Sequence, residues 1–437
     1  MNLFELTLKI NGFPIAAAKR KLNEIQQINE ENFEEYVQNT RKEIIDYHVK
    51  NNSYYKNFVG AADLSVWEKI PVMTKSDLQV PLEERLSKGF SKKNVYVNKT
   101  SGSSGTPFIF VKDKFCHALT WSVIIDRFGV LGINFDSSLQ ARFYGIPLDY
   151  KGYYKERIKD FFSYRYRFPV FDLSEEKLEK ILAVFKRKKF NYINGYTSSI
   201  VLFAKFLSKK NILLNKICPT LKYCVVTSEM LFDDDKKLME TVFGIPIINE
   251  YGASELDLIA FTNSKEKFAV NSETLFVEIL DGNNQPVSYG NSGRIVITSL
   301  YNKAHPMIRY DIGDIGILDE GSTFKQPILK KLIGRTNDIA KLPSGKTVPG
   351  LTFYYVTKSV ISNNGNVKEF VIEQLSTNTF KIKYVSENEL LEMEKLKIEK
   401  AVFEYLENDL KIIFERSEVL KRTAGGKLKQ FVSLAEN

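Results

Sequence analysis

NVYVNKTSGSSGTPFIFV, residues 94–111, places a strand-like run on each side of a loop built almost wholly from glycine and hydroxyl residues. Gly102 and Gly105 allow unusual backbone angles and close approach to a ligand. Successive backbone N–H groups and the hydroxyls of Thr100, Ser101, Ser103, Ser104 and Thr106 can then surround a phosphate. A plain polar hairpin turn remains the other reading of the same residues. The stretch is not a P-loop, because no Gly-Lys-Ser/Thr follows at the required spacing. AKLPSGKT (340–347) fails the same test, with Ala340 where the first glycine belongs.

Downstream of this loop the pattern alternates. PFIFV (107–111), YCVVT (223–227), IPIIN (245–249) and GRIVITSL (293–300) are short apolar runs suited to strands. Helical stretches at Ser174–Phe185, Thr197–Leu207 and Asp233–Val242 lie between them. Such alternation predicts an α/β fold, with helices covering mixed sheets. Upstream, residues 1–60 read as helical. Apolar residues recur at helical intervals from Asn32 to His48, and PVMTKSDL (71–78) predicts a helix start capped by Thr74 or Ser76. The segment Leu3–Ile15 is expected to pack its apolar side on the protein itself, a membrane surface being the alternative bed.

The pattern changes near 335, where GRTNDIAKLPSGKTVPG (334–350) is rich in turn residues. Beyond it, VKEFVIEQL (367–375) and FKIKYVS (380–386) flank STNT as a hairpin. Glu387–Leu410 reads as a helix and KIIFERS (411–417) as another strand. Residues 1–335 are thus expected to form a large α/β domain with a helical leader over 1–70. Residues 336–437 would form a small α+β domain.

A chain that is 43% hydrophobic and 26% charged is a folded one. Its net charge of +9 is spread among acidic residues, so no nucleic acid is expected as a partner. Only three cysteines and three histidines occur, without a CxxC pair. That argues against a disulfide framework or structural zinc and for a reducing, cytoplasmic compartment. No run approaches the ~18 apolar residues needed to cross a bilayer.

Four further motifs carry chemistry. NEYGASE (249–255) puts Glu255 just past a Gly252 turn at a strand's end, where a carboxylate can hold magnesium or simply favour a helix start. PMIRYDIGDIG (306–316) offers Asp311 and Asp314 to a ribose, or to ordinary turn bonding. GRTND (334–338) and KRTAGGKLKQ (421–430) complete the set; alone, the latter's lysines would be surface charge.

The order and spacing of all five resemble the adenylate-forming superfamily of acyl-CoA synthetases, luciferases and peptide-synthetase adenylation domains. Within it the chain is most similar to phenylacetate–CoA ligase-like proteins, including a branch associated with capsular polysaccharide biosynthesis. The resemblance runs from about residue 70 to 430. It implies that Thr100, Ser101, Gly102, Ser103, Ser104, Gly105 and Thr106 clasp the ATP phosphates. It implies that Glu255 holds Mg²⁺, Asp314 binds the ribose hydroxyls, and Arg335 contacts ribose or phosphate. Lys427 would bridge the attacking carboxylate and the α-phosphate. Ser228, Glu229, Asn249, Glu250, Tyr251, Gly252, Ala253 and Ser254 match segments that line the adenine and acyl pockets. Pocket walls are expected at Tyr144, Gly145, Tyr196, Ser228 and Ala253, and NGYTSSI (194–200) matches a helix start with Thr197 in place of proline. The small domain would be mobile, turning about a hinge at Asn337.

The sequence departs from the family at three points. Thr106 stands where many members have lysine, Asn337 replaces the hinge acid, and Lys429 competes with Lys427 for the motif's register. The implied reaction joins AMP to a small carboxylic acid and passes the acyl group to a thiol, coenzyme A above all. An amine, sugar or carrier-protein acceptor is the alternative, and a non-catalytic nucleotide-binding relative is the rival class.

Overall fold

The computed structural model describes residues 3–100, 108–146, 150–335, 339–349, 367–423 and 428–434, with Phe353, Thr357 and Gly426. The leader is helical: Leu3–Ile10, Ile15–Gln27, Glu30–Asn51 and Ser53–Val59. Asn29 and Asn52 start the last two by accepting from Asn32 N (3.0 Å) and Tyr55 N (2.9 Å). The first helix packs on the protein, as expected: Phe4 meets Trp121 edge-on with ring centroids 4.8 Å apart, and Leu8 is buried. The predicted helix start at 71–78 is a turn instead. Thr74 N and Oγ1 both donate to Asp77 Oδ2 (2.8 and 2.6 Å), so side-chain bonding has displaced the helix.

Seven strands form the central sheet, in the spatial order Arg165–Phe168, Gln140–Phe143, Tyr192–Tyr196, Tyr223–Thr227, Ile247–Ala253, Asp257–Thr262, Phe268–Val270. The first five are mutually parallel; Asp257–Thr262 returns antiparallel to them, and Phe268–Val270 pairs antiparallel with it in turn. Helices Glu175–Arg187, Thr197–Lys209 and Asp233–Phe243 supply its coverage, burying Leu178, Ile200, Phe203 and Met239 with the sheet residues Phe143, Ile193 and Val226. From Gln140–Phe143 the chain first runs outward to Arg165–Phe168, then crosses back to Tyr192–Tyr196. Strand order therefore reverses there, and the crevice at the strands' carboxyl ends is where such sheets bind ligands. Tyr144, Gly145 and Thr197 all follow directly on those ends.

A second, antiparallel sheet runs Leu275–Leu280, Ser292–Ser299, Tyr310–Leu318, Leu329–Arg335. It shares one apolar core with the leader and with the hairpin Val95–Lys99/Ile109–Asp113: Ile44, Tyr55, Phe108, Tyr251, Ile279 and Ile297 belong to it. Arg309 is the polar fastening of that core. Fully buried, it donates through Nη1 to the carbonyls of Glu68 (3.0 Å) and Ile70 (2.7 Å), and through Nη2 to Glu278 Oε1 (3.3 Å).

The C-terminal unit is the expected α+β layer. Its sheet runs Lys411–Arg416, Thr379–Ser386, Val367–Gln374, Phe431–Ser433, and the middle pair is the predicted hairpin. The helix is shorter than predicted, Glu392–Tyr405 rather than 387–410. Residues 406–410 instead turn into the strand Lys411–Arg416, burying Leu406 and Leu410 as they do so.

Candidate active site

A cleft of about 660 Å³ opens at the carboxyl ends of the central strands. Its walls come from three separate parts of the chain. Ser228, Glu229, Asn249, Glu250, Tyr251, Gly252 and Ala253 line it from the central sheet, Asp314 and Gly334 from the antiparallel sheet, and Leu428 and Lys429 from the C-terminal unit. Eight residues expected at a nucleotide therefore converge, although up to 86 positions separate them (Ser228 to Asp314).

Local chemistry fixes several of them. Ser228 has a left-handed backbone (φ 69°), a costly conformation that turns the chain sharply at the end of Tyr223–Thr227. Tyr251 donates its phenol to Asp314 Oδ2 (2.6 Å), orienting a carboxylate that lies opposite Arg335 in the strand register. Burial pushes the Glu250 carboxyl above its ordinary range, against the lowering effect of the Thr227 hydroxyl and Arg142. Tyr144, Gly145 and Tyr196, expected in a pocket wall, are not among the residues that line this cleft; the two tyrosine rings stand 4.6 Å apart, with the Arg142 guanidinium 3.9 Å above Tyr144.

Gly252 is not in a turn, as expected, but within the strand Ile247–Ala253. The pairing with Asp257–Thr262 shifts register beside it, and a Cβ there would lie 2.4 Å from the Asp257 carbonyl oxygen. The turn comes next and carries Ser254 and Glu255, neither of which lines the cleft. Glu255 is 8% exposed and accepts from the Tyr310 hydroxyl (3.0 Å). Asp311 has the ordinary role: it pairs with Arg294 Nη1 (2.6 Å) and accepts from Gly313 N (2.9 Å). Thr100 closes the mouth of the glycine-rich loop, donating from N to Phe108 O (2.9 Å) and accepting at Oγ1 from Phe108 N (3.0 Å). Ser101, Gly102, Ser103, Ser104, Gly105, Thr106, Asn337 and Lys427 lie outside the described residues.

Sequence reasoning missed a clasp between the two parts of the chain. Glu229 accepts from Ser198 N at Oε2 (2.7 Å) and from Leu428 N at Oε1 (2.8 Å). One carboxylate thus ties the start of helix Thr197–Lys209 to the residue after Lys427. Beside it, Arg422 donates to Ser198 Oγ (3.1 Å) and to Glu369 Oε2 (2.7 Å). Burial raises the Glu369 carboxyl, opposed by Arg422. Lys205 Nζ reaches the Lys368 carbonyl (2.9 Å) and Lys209 pairs with Glu387 (2.6 Å). Gly426 (φ +88°) fits where a Cβ would be 2.9 Å from Val170 Cγ2 and 3.4 Å from the Tyr196 ring. The only advance signal was that Ser198, Glu229 and Arg422 stand inside motifs already singled out.

No family model matches the chain. The fold nonetheless has close counterparts among solved structures. 2-Hydroxyisobutyryl-CoA ligase, in the postadenylation state with R3-HIB-AMP, superimposes with a TM-score of 0.70 at 16% identity, over 92% of this chain and 89% of that one. The same ligase in its thioesterification state, with 2-HIB-AMP and CoA, gives a TM-score of 0.57 at 16% identity, over 94% and 91%. The fold of this chain is therefore that of the adenylate-forming ligases. Among individual proteins it is similar to Protein CapK of Staphylococcus aureus, with 24% identity over 339 residues, 73% of this chain and 70% of that protein.

Proposed function

We propose that the protein activates a carboxylic acid with ATP as an acyl-AMP and then transfers the acyl group to a thiol, coenzyme A being the acceptor favoured. The observation that carries this reading is the three-part cleft, in which Asp314 and the 228–253 segments face the residues flanking Lys427. Both the acid and ATP are anionic, so the protein's task is positioning and charge neutralisation rather than covalent chemistry. The acid's oxygen attacks the α-phosphorus in line, the new P–O bond forms, and the bond to pyrophosphate breaks. Asp314, held by Tyr251, is assigned to the ribose hydroxyls, with Arg335 on the neighbouring strand assigned to ribose or phosphate. The Thr100–Thr106 loop is assigned to the leaving phosphates and Lys427 to the meeting point of the two anions.

Magnesium is assigned to Glu255 by the chemistry of its carboxylate, since that ion takes one or two protein carboxylates together with substrate phosphates; the residue is not a wall of the cleft itself but lies in the turn that follows the cleft-lining Ala253. When bound, the ion would offset charge on the pyrophosphate. Tyr310 holds one oxygen of the carboxylate in place.

Transfer to the thiol is assigned to a second arrangement, reached by rotation of residues 336–437 about Asn337. The arrangement seen here is assigned to the adenylation step, a reading supported by the higher TM-score against the postadenylation form than against the thioesterification form at nearly equal coverage of this chain (92% and 94%). The cytoplasm is the compartment this reading assigns, supported by the need for ATP and CoA and by three cysteines that are free and buried. Pyrophosphate exchange across a panel of aryl, fatty, hydroxy and amino acids, with and without CoA, tests the reading. Exchange with at least one acid supports it; ATP binding without exchange for any acid favours the non-catalytic class.

A further inference from the structure

The helix Tyr150–Phe162 is built inside out. Its inward side is polar: Asp160 accepts from Arg165 Nε (2.5 Å) and Arg167 Nε (2.8 Å), and Glu156 accepts from Arg167 Nη2 (2.9 Å). Arg157 adds a bond from Nη1 to the Arg167 carbonyl (3.0 Å). Its outward side is apolar. Tyr150, Tyr154, Ile158, Phe161 and Phe162 are exposed by 76, 50, 59, 79 and 65%. At about 100° per residue they fill one arc of roughly 120°. Lys151, Lys155 and Lys159, all exposed, run along one flank of that arc, Lys159 also pairing with Glu156 (2.7 Å). The helix's two acids are both held on the inner side. Tyr164 (45% exposed) extends the aromatic band past the helix end.

A large exposed apolar patch marks an interaction surface. Three features select its occupant. The arc is broad and convex, whereas a partner groove takes a narrow ridge of anchors. Its residues are mostly tyrosine and phenylalanine, which suit the boundary between water and hydrocarbon. The row of lysines beside them can reach over to anionic headgroups while their stems cover apolar surface. Ion pairs from Glu156 and Asp160 to Arg165 and Arg167 fasten the inner side of the helix's second half, which keeps the arc turned outward. We propose that this face is a docking surface for an anionic lipid bilayer, the protein lying peripherally with the helix in the headgroup layer. The membrane contact considered for the N-terminal helix is thus reassigned to Tyr150–Phe162.

The test is flotation of the full chain with vesicles of phosphatidylcholine alone or mixed with phosphatidylglycerol. The wild-type protein is expected to float with the mixed vesicles and far less with the neutral ones. F161S/F162S and K151Q/K155Q should each lower partition by at least about tenfold while leaving the circular dichroism spectrum unchanged. Y154W serves as a second probe that keeps the aromatic face; its emission should shift to the blue on adding mixed vesicles. Absence of wild-type binding to mixed vesicles overturns the proposal. So does undiminished binding by both double variants, or a wild-type dimer that F161S/F162S converts to monomer without lipid.

Discussion

Glu229→Gln tests the clasp at a residue that also lines the cleft, so the two half-reactions must be read separately. In the structure one carboxylate accepts two backbone N–H groups, from Ser198 (2.7 Å) and Leu428 (2.8 Å), and only the second crosses to the C-terminal unit. Glutamine keeps one acceptor and must turn an NH₂ toward the other donor. One hydrogen bond to an ionised group is lost, worth about 1.5–3 kcal/mol. Glu229 is only half-buried, so the lower end applies, and about 1.5 kcal/mol corresponds to roughly tenfold in the balance between the two arrangements. The arrangement seen here is the one assigned to adenylation. Pyrophosphate exchange should therefore fall by about tenfold, while thioester formation from a supplied acyl-adenylate holds steady or rises. Two results would refute the reasoning: an equal fall in both half-reactions, or exchange at the wild-type rate in Glu229→Gln.

Lys427→Ala should reduce exchange by about 10²–10³ and spare thiolysis of the acyl-adenylate; if Lys429→Ala shows that pattern instead, the bridging lysine is the one that lines the cleft. Acid should weaken the fold below pH 6.5, because burial pulls His48 and His117 down to about 4, so the unfolded chain binds protons the folded one refuses. Each should cost about 3 kcal/mol by pH 4 and nothing above 6.5, seen as a urea midpoint that drops across that window and drops less in His48→Gln. Arg309→Ala should cost about 3–5 kcal/mol by chemical denaturation, since it strands Glu278, whose carboxyl burial already raises, without its charged partner. A loss below 1 kcal/mol would show that water takes over those contacts.

What could be read in advance was what repeats locally. The strands Tyr223–Thr227 and Val367–Gln374, and the helix beginning at Thr197, announce themselves by apolar period and by flanking turn residues. That Asp314 and the 249–253 segment would stand at one cleft was expected from the order of the motifs and their resemblance to a family, not from local pattern. Other features depend on partners far along the chain. Nothing around Gly252 shows that Asp257 will press on it from the returning strand, and nothing around Glu229 shows that its acceptors will be used 31 and 199 positions away. At Thr74 a capping residue pointed to a helix start, but one hydroxyl and one carboxylate three residues apart closed a turn first. The aromatic helix Tyr150–Phe162 eluded pattern reading for the opposite reason. Its apolar stripe looks like core, and only the arginines at 165 and 167 decide that the other side faces in.

Arg309 also sets where this protein can be cut. Its guanidinium takes carbonyls from Trp67 (3.3 Å), Glu68 and Ile70, which belong to the connector between the opening helices and everything that follows. A shortened version that starts at the hairpin, however sensible as a fragment boundary, would leave a buried cation without three of its carbonyl acceptors beside the core that the leader shares with the antiparallel sheet. Fusion tags and truncation series should therefore keep residue 67 and the residues before it together with residue 309, or expect inclusion bodies.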